Sequence, residues 1–229
     1  ADTIYQAWDA IRAIKVEYDV LKQVTTVEDA SKPDTPAVRD GGNKPQAPAA
    51  YQRGDVAAAF KTAEVVLEHT FTTPYELHNP MELHGCVAKW DGHHLTIWES
   101  TQGVYAVQST LARALGLPLA NVRAIGHYVG GGFGGKLDAG KYSVMAALLS
   151  RKTRRPVRLF VTREQDCQSM GNRPGNTITL KVGAKKDGTL VAFQSSVVGS
   201  GGAYSGSGTG GVDYVIRELY KCPRVRCEN

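Results

Sequence analysis

A glycine-rich loop is the part of this sequence best suited to bind a ligand. The heptad Gly130–Lys136 (GGGFGGK) lies between a run that predicts a strand and a run that predicts a helix. In that position exposed backbone N–H groups can hold an anionic group, because glycine has no side chain to keep a ligand away. Phe133 is the bulky exception, and we expect it to pack on a ligand or on a neighbouring domain. This heptad, called the Gly-rich loop below, therefore predicts backbone laid against a large polar cofactor.

The Gly-rich loop also matches two nucleotide-binding patterns in part. As G-x-x-x-x-G-K it resembles a P-loop, but Leu137 follows where a Ser or Thr hydroxyl would ligate Mg²⁺. As G-x-G-x-x-G it resembles a dinucleotide fingerprint, but the candidate acids Glu164 and Asp166 come too late for the usual spacing of about 20 residues. A tight turn that needs glycine only for positive φ would explain a single pair of glycines, but the five glycines of this loop exceed what such a turn needs. A nucleotide-binding domain and a non-catalytic assembly module stay open as alternatives.

Other polar residues give weaker signals. His78 and Glu82 are four residues apart, a spacing that suits metal ligands on a helix, but Pro80 between them favours a polar turn. Lys136 can either neutralise an anionic cofactor or cap the loop. The cysteines show neither C-x-x-C nor His-paired zinc spacing, and we expect no metal ligands in this chain. They are Cys86, Cys167, Cys222 and Cys227.

Charge and hydropathy exclude two classes of partner. The 229 residues carry 27 Lys and Arg against 22 Asp and Glu, a net charge of +5. The densest basic cluster lies where a predicted helix ends, where cations are favourable without nucleic acid. It consists of Arg151, Lys152, Arg154, Arg155 and Arg158. No apolar run is long enough for a membrane helix, and the N-terminus does not resemble a signal peptide. We therefore expect no nucleic-acid partner and no membrane span.

Hydrophobic periodicity predicts an α+β (mixed α/β) fold. The predicted helices cover residues 3–14, 55–63, 104–115 and 139–152. The predicted strands cover residues 15–20, 64–73, 86–90, 94–98, 122–129, 157–162, 177–182 and 190–198. Residues 31–53 are rich in Pro and predict an extended connector. Residues 199–211 contain seven glycines and are either a flexible linker or backbone laid against another surface.

Three motifs together resemble a known family. His78–Glu82 (HNPME), Ser100–Gln102 (STQ) and the Gly-rich loop have the order and spacing found in the molybdenum cofactor-binding subunit of the xanthine dehydrogenase and aldehyde oxidase family. The resemblance continues through PVR (156–158), REQD (163–166), KDG (186–188) and GAY (202–204). It covers most of residues 14–229. It implies that residues 1–30 end a hammerhead-like α/β domain and that residues 54–229 belong to the first molybdenum cofactor-binding domain.

The resemblance implies a molybdenum hydroxylase, in which the protein positions and polarises the cofactor. By position, Gln102 hydrogen-bonds near the molybdenum, and Gly131, Gly132, Phe133 and Gly134 line the cofactor. The cofactor is molybdenum–molybdopterin, with the cytosine dinucleotide form as one version. Electrons leave through [2Fe–2S] clusters and FAD on partner subunits or domains, because the cysteine pattern of this chain does not fit such clusters.

Two departures from the family pattern refine these expectations. Leu137 stands where xanthine-oxidising members carry a carboxylate, which favours an aldehyde or an aromatic N-heterocycle as the small-molecule substrate. The catalytic Glu of the family is expected beyond Asn229. The chain is therefore expected to be a fragment or a split subunit that joins the remaining molybdenum-subunit segment, an iron–sulfur subunit and an FAD subunit. We expect a cytoplasmic location, with the periplasm as the alternative.

Overall fold

The computed structural model describes residues 1–44, 49–202 and 209–229. The helices are α1 (Ile4–Ala13), α2 (Val27–Ala30), α3 (Val56–Thr62), α4 (Val104–Leu115), α5 (Lys141–Thr153), α6 (Arg163–Ser169) and α7 (Thr209–Leu219). The strands are β1 (Ala50–Arg53), β2 (Val65–Thr73), β3 (Gly85–Asp91), β4 (His94–Glu99), β5 (Val122–Ile125), β6 (Val157–Phe160), β7 (Asn176–Ala184), β8 (Leu190–Gly199) and β9 (Val225–Glu228). This content confirms the predicted α+β class.

The chain divides into two units, and the smaller one, Ala1–Ala49 with Gly201–Gly206, contains α1 and α2. Helix α1 begins at a capping box, in which Thr3 and Gln6 satisfy each other's backbone N–H groups. It confirms the helix predicted over residues 3–14. The strand predicted over residues 15–20 is wrong, because an extended segment becomes a strand only when it pairs with another. The described residues of this unit contain no second strand.

The larger unit, Ala50–Ser200 with Ser207–Asn229, holds two sheets. The first has the strand order β5-β4-β3-β6, and α4 and α5 cover one of its faces. Its core is apolar and fully buried, with Leu95, Ile97, Val107 and Leu111 at its centre. Strands β3 and β4 form the predicted hairpin. The indole N–H of Trp90 donates to the carbonyl of Ala147 in α5 at 2.8 Å, so Trp90 packs the hairpin against that helix.

The second sheet has the order β1-β9-β8-β7-β2. Strand β1 lies within the predicted connector and pairs antiparallel with β9, so the end of that segment is part of the sheet. Residues 45–48 of the connector lie outside the described residues, and so do residues 203–208 of the glycine-rich stretch 199–211. Helix α7 begins at Thr209, which the composition of that stretch did not predict.

Turn and cap residues end the elements where expected. Asp55 accepts a hydrogen bond from the N–H of Ala58 at the start of α3, and Gly116 ends α4 at φ 65°. Arg151 and Lys152 lie in the last turn of α5, as predicted for the basic cluster. Among the described residues, no helix has the length and the apolar character needed to cross a membrane.

Glu99, at the end of β4, is a buried carboxyl group between the first sheet and α5. Its Oε1 accepts hydrogen bonds from the Tyr142 hydroxyl at 2.9 Å and from the Ser143 hydroxyl at 2.8 Å. Its Oε2 has no partner among the described residues. Burial raises the pKa of Glu99 to about 7, against the lowering effect of these hydrogen bonds. The ionised form is therefore costly inside the fold.

We predict that Glu99→Gln removes a pH-dependent loss of stability. The folded state holds a proton on Glu99 that the unfolded state releases nearer pH 4.5, so the free energy of unfolding falls as the pH rises from about 4.5 to about 7. The rise of the pKa from 4.5 to about 7 corresponds to about 3 kcal/mol. Thermal unfolding of the purified protein at pH 5.5 and pH 8 measures the effect. The stability of the Gln variant relative to the wild type should be higher at pH 8 than at pH 5.5.

The control for this prediction is Glu218→Gln, because Glu218 is exposed on α7. We expect the difference between this variant and the wild type to be the same at both pH values. If Glu99→Gln also shows a constant difference, Glu99 is not the source of the pH dependence.

Candidate functional site

The three sequence motifs meet at one edge of the first sheet. Strands β4 and β5 are parallel neighbours, so the segments that follow them, the Ser100–Gln102 motif and the Gly-rich loop, leave the sheet at the same edge. Strand β3 is antiparallel to β4, so β3 begins at that edge, directly after the His78–Glu82 motif. Strand β6, antiparallel to β3, ends there and leads into α6. The order of the strands therefore brings separate parts of the sequence to one place.

Gln102 holds the Gly-rich loop through its side-chain amide. Its Oε1 accepts hydrogen bonds from the N–H of Gly134 at 3.0 Å and from the N–H of Lys136 at 3.2 Å. The backbone N–H of Gln102 and the hydroxyl of Thr101 both donate to the Lys136 carbonyl, at 2.8 and 3.0 Å. These contacts fix which end of the amide faces the loop. No described residue accepts a hydrogen bond from Nε2 of Gln102, and that donor is available to a ligand.

Two glycines of the loop are required by close contacts. A Cβ atom on Gly132 would lie 2.4 Å from Oε1 of Gln102, and one on Gly130 would lie 2.5 Å from Cβ of Glu82. Any larger residue would push these side chains away. The glycines therefore let the loop lie directly against the two other motifs, which a tight turn alone does not require.

Lys136 anchors the loop inside the protein. It is 1% exposed, and its Nζ donates to the Glu82 carbonyl at 2.7 Å, to the Ser100 hydroxyl at 2.7 Å and to Oε2 of Glu82 at 3.2 Å. Of the two roles considered for this lysine, the structure confirms the structural one. An ammonium group bound in this way does not reach a ligand outside the loop.

Glu82 joins all three motifs. Its Oε2 also accepts from the Ser100 hydroxyl at 2.5 Å and from the N–H of Gly130 at 2.6 Å. Burial alone would raise the pKa of Glu82, but the hydrogen bonds from Ser100 and Gly130 and the Lys136 ammonium outweigh it and lower the pKa. Glu82 is therefore a carboxylate whose role is to hold the loop.

The segment around Pro80 is a turn rather than a helix, as predicted. In this segment the backbone N–H of Glu82 donates to the Gly130 carbonyl at 3.2 Å, which adds another contact to the loop. The His78 ring lies against Gly135. Among the described residues, no group of three or more His, Cys, Asp or Glu side chains is arranged to hold a metal ion.

The outer side of the loop exposes apolar side chains and a free donor. Phe133 is 72% exposed and has a φ of 51°, and Leu137 is 57% exposed. The N–H of Phe133 has no acceptor among the described residues. Met81 and Tyr128 are also exposed near this edge, at 93% and 89%. The arrangement presents backbone and amide donors next to apolar surface.

His84, which the sequence analysis did not single out, also contacts this region together with Arg163 and Asp166 of the REQD motif. His84, Asp166 and Arg163 form a hydrogen-bonded chain behind the loop. The capping box formed by Thr162 and Gln165 predicts a helix start that places Asp166 in its first turn. No local pattern predicted the contact of His84 with Asp166, since the two residues are 82 positions apart.

Comparison with known proteins gives a family match over most of the chain. Residues 40–229 match the molybdopterin cofactor-binding domain family. The chain is 34% identical over 193 residues to the aldehyde oxidoreductase molybdenum-binding subunit PaoC of Escherichia coli (strain K12), covering 84% of this chain and 25% of that protein. It is 37% identical over 201 residues to the nicotinate dehydrogenase large molybdopterin subunit of Eubacterium barkeri, covering 87% of this chain and 47% of that protein.

The fold also matches that of a solved structure. Quinoline 2-oxidoreductase from Pseudomonas putida 86 superposes with a TM-score of 0.86 at 26% identity, covering 100% of this chain and 30% of that one. The chain therefore spans about a quarter to a half of the length of these relatives.

We predict that Gly132→Ala displaces Gln102 while the protein still folds. The new methyl group would occupy the position of Oε1, and the flexible glutamine side chain can move aside. The loop then loses the acceptor of two hydrogen bonds, at a cost of about 2 kcal/mol. A crystal structure of the variant and its thermal unfolding measure both effects.

The matched control is Gly211→Ala, because a Cβ atom there meets nothing within 4 Å. This exposed position lies in α7, where alanine should stabilise the helix by up to about 1 kcal/mol. A Gly132→Ala structure with Gln102 in its original place would contradict the account of the loop.

Proposed function

The chain belongs to the molybdopterin cofactor-binding family, and from this premise we propose that it is part of a molybdenum hydroxylase. The proposed reaction is the oxidation of an aldehyde or an aromatic N-heterocycle, with water as the source of oxygen. The observation that carries the proposal is the amide of Gln102, whose Oε1 is fixed by the Gly-rich loop while its Nε2 has no protein acceptor among the described residues.

The described residues fit a molybdopterin cofactor. Oxygen ligands of molybdenum accept hydrogen bonds. Nε2 of Gln102 and the N–H of Phe133 are two donors at the same edge of the sheet, and neither has an acceptor within residues 1–44, 49–202 and 209–229. Gly131, Gly132 and Gly134 keep the surface between these donors free of side chains. The N–H of Gly134 itself is used by Gln102, so Gly134 contributes shape and not a donor.

The bound cofactor supplies the two-electron oxidation, and this chain supplies orientation and polarity. Gln102 would donate from Nε2 to the bound cofactor, and its amide is already oriented by the hydrogen bonds that its Oε1 accepts from the loop. Lys136 and Glu82 neutralise each other within the protein, so the loop adds no free charge to the site.

The substrate class rests on Leu137 and on the relatives. Leu137 is apolar and 57% exposed beside the loop, which suits an uncharged substrate surface. The relatives reported above are named for an aldehyde, nicotinate and quinoline. We assign Leu137 to the substrate pocket on this basis.

Partners complete the proposed enzyme. Because the relatives are longer, we assign the catalytic Glu to a part of the molybdenum subunit outside residues 1–229. The four free cysteines do not form a cluster of ligands among the described residues, and we place the [2Fe–2S] clusters and the FAD on partner subunits or domains. The proposal includes the cytosine dinucleotide as one form of the cofactor. We also assign residues 1–30 to the end of a hammerhead-like α/β domain and residues 54–229 to the first cofactor-binding domain. Free thiols suit a reducing, cytoplasmic compartment.

The alternatives are less well supported. A P-loop would use its lysine as a charge on the phosphates, but Lys136 is buried against Glu82 and Ser100. The family match likewise favours cofactor binding over a purely structural assembly module.

We predict that Gln102→Glu separates turnover from cofactor binding. The carboxylate keeps an acceptor for the Gly134 and Lys136 N–H groups but replaces the Nε2 donor by an oxygen. Loss of one such donor lowers turnover about 10²-fold or more. Activity toward a panel of aldehydes and N-heterocycles, with molybdenum and pterin content measured on the same holoenzyme, tests this expectation.

Gln52→Glu, on strand β1, is the matched control and should keep wild-type activity. We expect both variants to retain at least half of the wild-type molybdenum. Unchanged turnover in Gln102→Glu would remove the role proposed for its Nε2, and a wild-type holoenzyme without molybdenum or pterin would end the hydroxylase proposal.

A further inference from the structure

His84 is a buried histidine with an acceptor at each ring nitrogen. Its Nδ1 lies 2.5 Å from Oδ1 of Asp166, and its Nε2 lies 3.1 Å from the carbonyl oxygen of Gly135 in the Gly-rich loop. The His84 and Asp166 side chains are each 4% exposed. Water therefore has little access to either contact.

These two contacts restrict the protons on the ring. A neutral imidazole donates from only one nitrogen, and the other nitrogen presents a lone pair. A backbone carbonyl oxygen can only accept, so Nε2 must carry a proton. If Asp166 is ionised, it can also only accept, so Nδ1 must carry a proton as well.

Arg163 gives Asp166 a cationic partner. Its Nη1 lies 3.0 Å from Oδ2 of Asp166, so the second carboxylate oxygen also faces a cation. Asp166 also lies in the first turn of α6, where the helix dipole favours negative charge. One oxygen of this carboxylate accepts a hydrogen bond from the guanidinium and the other accepts one from the imidazole, so both oxygens have a hydrogen-bond donor.

Arg163 extends the chain of contacts to another site segment. Its Nη2 donates to the carbonyl of Pro80 at 2.6 Å. The chain Pro80, Arg163, Asp166, His84, Gly135 thus joins the His78–Glu82 motif to the Gly-rich loop through contacts that do not involve Glu82 or Lys136.

We propose that His84 is an imidazolium that positions the Gly-rich loop through the carbonyl of Gly135. This inference rests on the proposed function, because the loop that His84 holds is the one assigned to the cofactor. The turn that contains Phe133 is closed by the N–H of Gly135, which donates to the Gly132 carbonyl at 2.8 Å. Gln102 fixes this turn through N–H groups, and His84 fixes it through a carbonyl, so the direction of the Phe133 N–H depends on both. His84 is a positioning residue and does not contact the cofactor in this account.

Neutron diffraction from D₂O-exchanged crystals of the holoenzyme at pH 7 tests the protonation directly. We expect deuterium on both Nδ1 and Nε2 of His84 and none on Asp166. Deuterium on only one ring nitrogen, or on Asp166, overturns the proposal. This result does not depend on turnover, so it stands or fails separately from the proposed function.

A pair of variants tests the positioning role. In His84→Gln the amide nitrogen can take the place of Nε2 and still donate to Gly135, whereas in His84→Asn the shorter amide reaches only Asp166. We expect His84→Gln to stay within about threefold of the wild type in molybdenum content and kcat. His84→Asn should lose tenfold or more in one of these quantities and show a changed Mo(V) electron paramagnetic resonance spectrum.

His94→Gln, at the exposed first residue of β4, is the control and should match the wild type. Equal behaviour of the Gln and Asn variants overturns the positioning role, whether both are active or both are impaired. If neither variant folds, the neutron experiment on the wild type decides the proposal.

Discussion

The site depends on one side-chain amide that is fixed at one end and free at the other. Oε1 of Gln102 accepts hydrogen bonds from two N–H groups of the Gly-rich loop, and no residue in the described part of the chain accepts one from Nε2. The buried Lys136 holds the end of the same loop to Glu82 and Ser100. Charges that could otherwise compete with a ligand are thereby paired inside the protein. What remains on the outer side of the loop is a set of neutral, oriented donors beside apolar surface, which is the environment that a cofactor with anionic oxygen ligands requires.

The topology of the first sheet makes this arrangement possible. Parallel β4 and β5 send two motifs off the same edge, and antiparallel β3 and β6 bring the third motif and α6 to it. The helices on the buried face hold these strands rigidly, so the loops at the edge inherit fixed starting points. A buried carboxyl at the end of β4, Glu99, lies directly before the Ser100–Gln102 motif and ties that strand to α5 through Tyr142 and Ser143.

Local features of the sequence predicted most of the elements and the position of the loop. Asp55, Gly116 and the turn between β3 and β4 act on their immediate neighbours, so their effects could be expected from the sequence alone. The motif order identified the family. Pairing between distant segments was not predictable in the same way: β1 joins β9 across the whole unit, and residues 15–20 alternate like a strand but pair with no strand that the structure describes. The contact between His84 and Asp166 was missed for the same reason, since it exists only after β3 and β6 have paired.

We propose that the Gly-rich loop and the amide of Gln102 hold the molybdenum cofactor. Anomalous diffraction at the molybdenum absorption edge, from crystals of the native holoenzyme, tests it most directly. We expect one molybdenum peak within roughly 5 Å of Gln102 Nε2, the distance spanned by a hydrogen bond and one oxygen ligand. A molybdenum peak elsewhere in the holoenzyme, with no cofactor density along Gly131–Gly134, would contradict it.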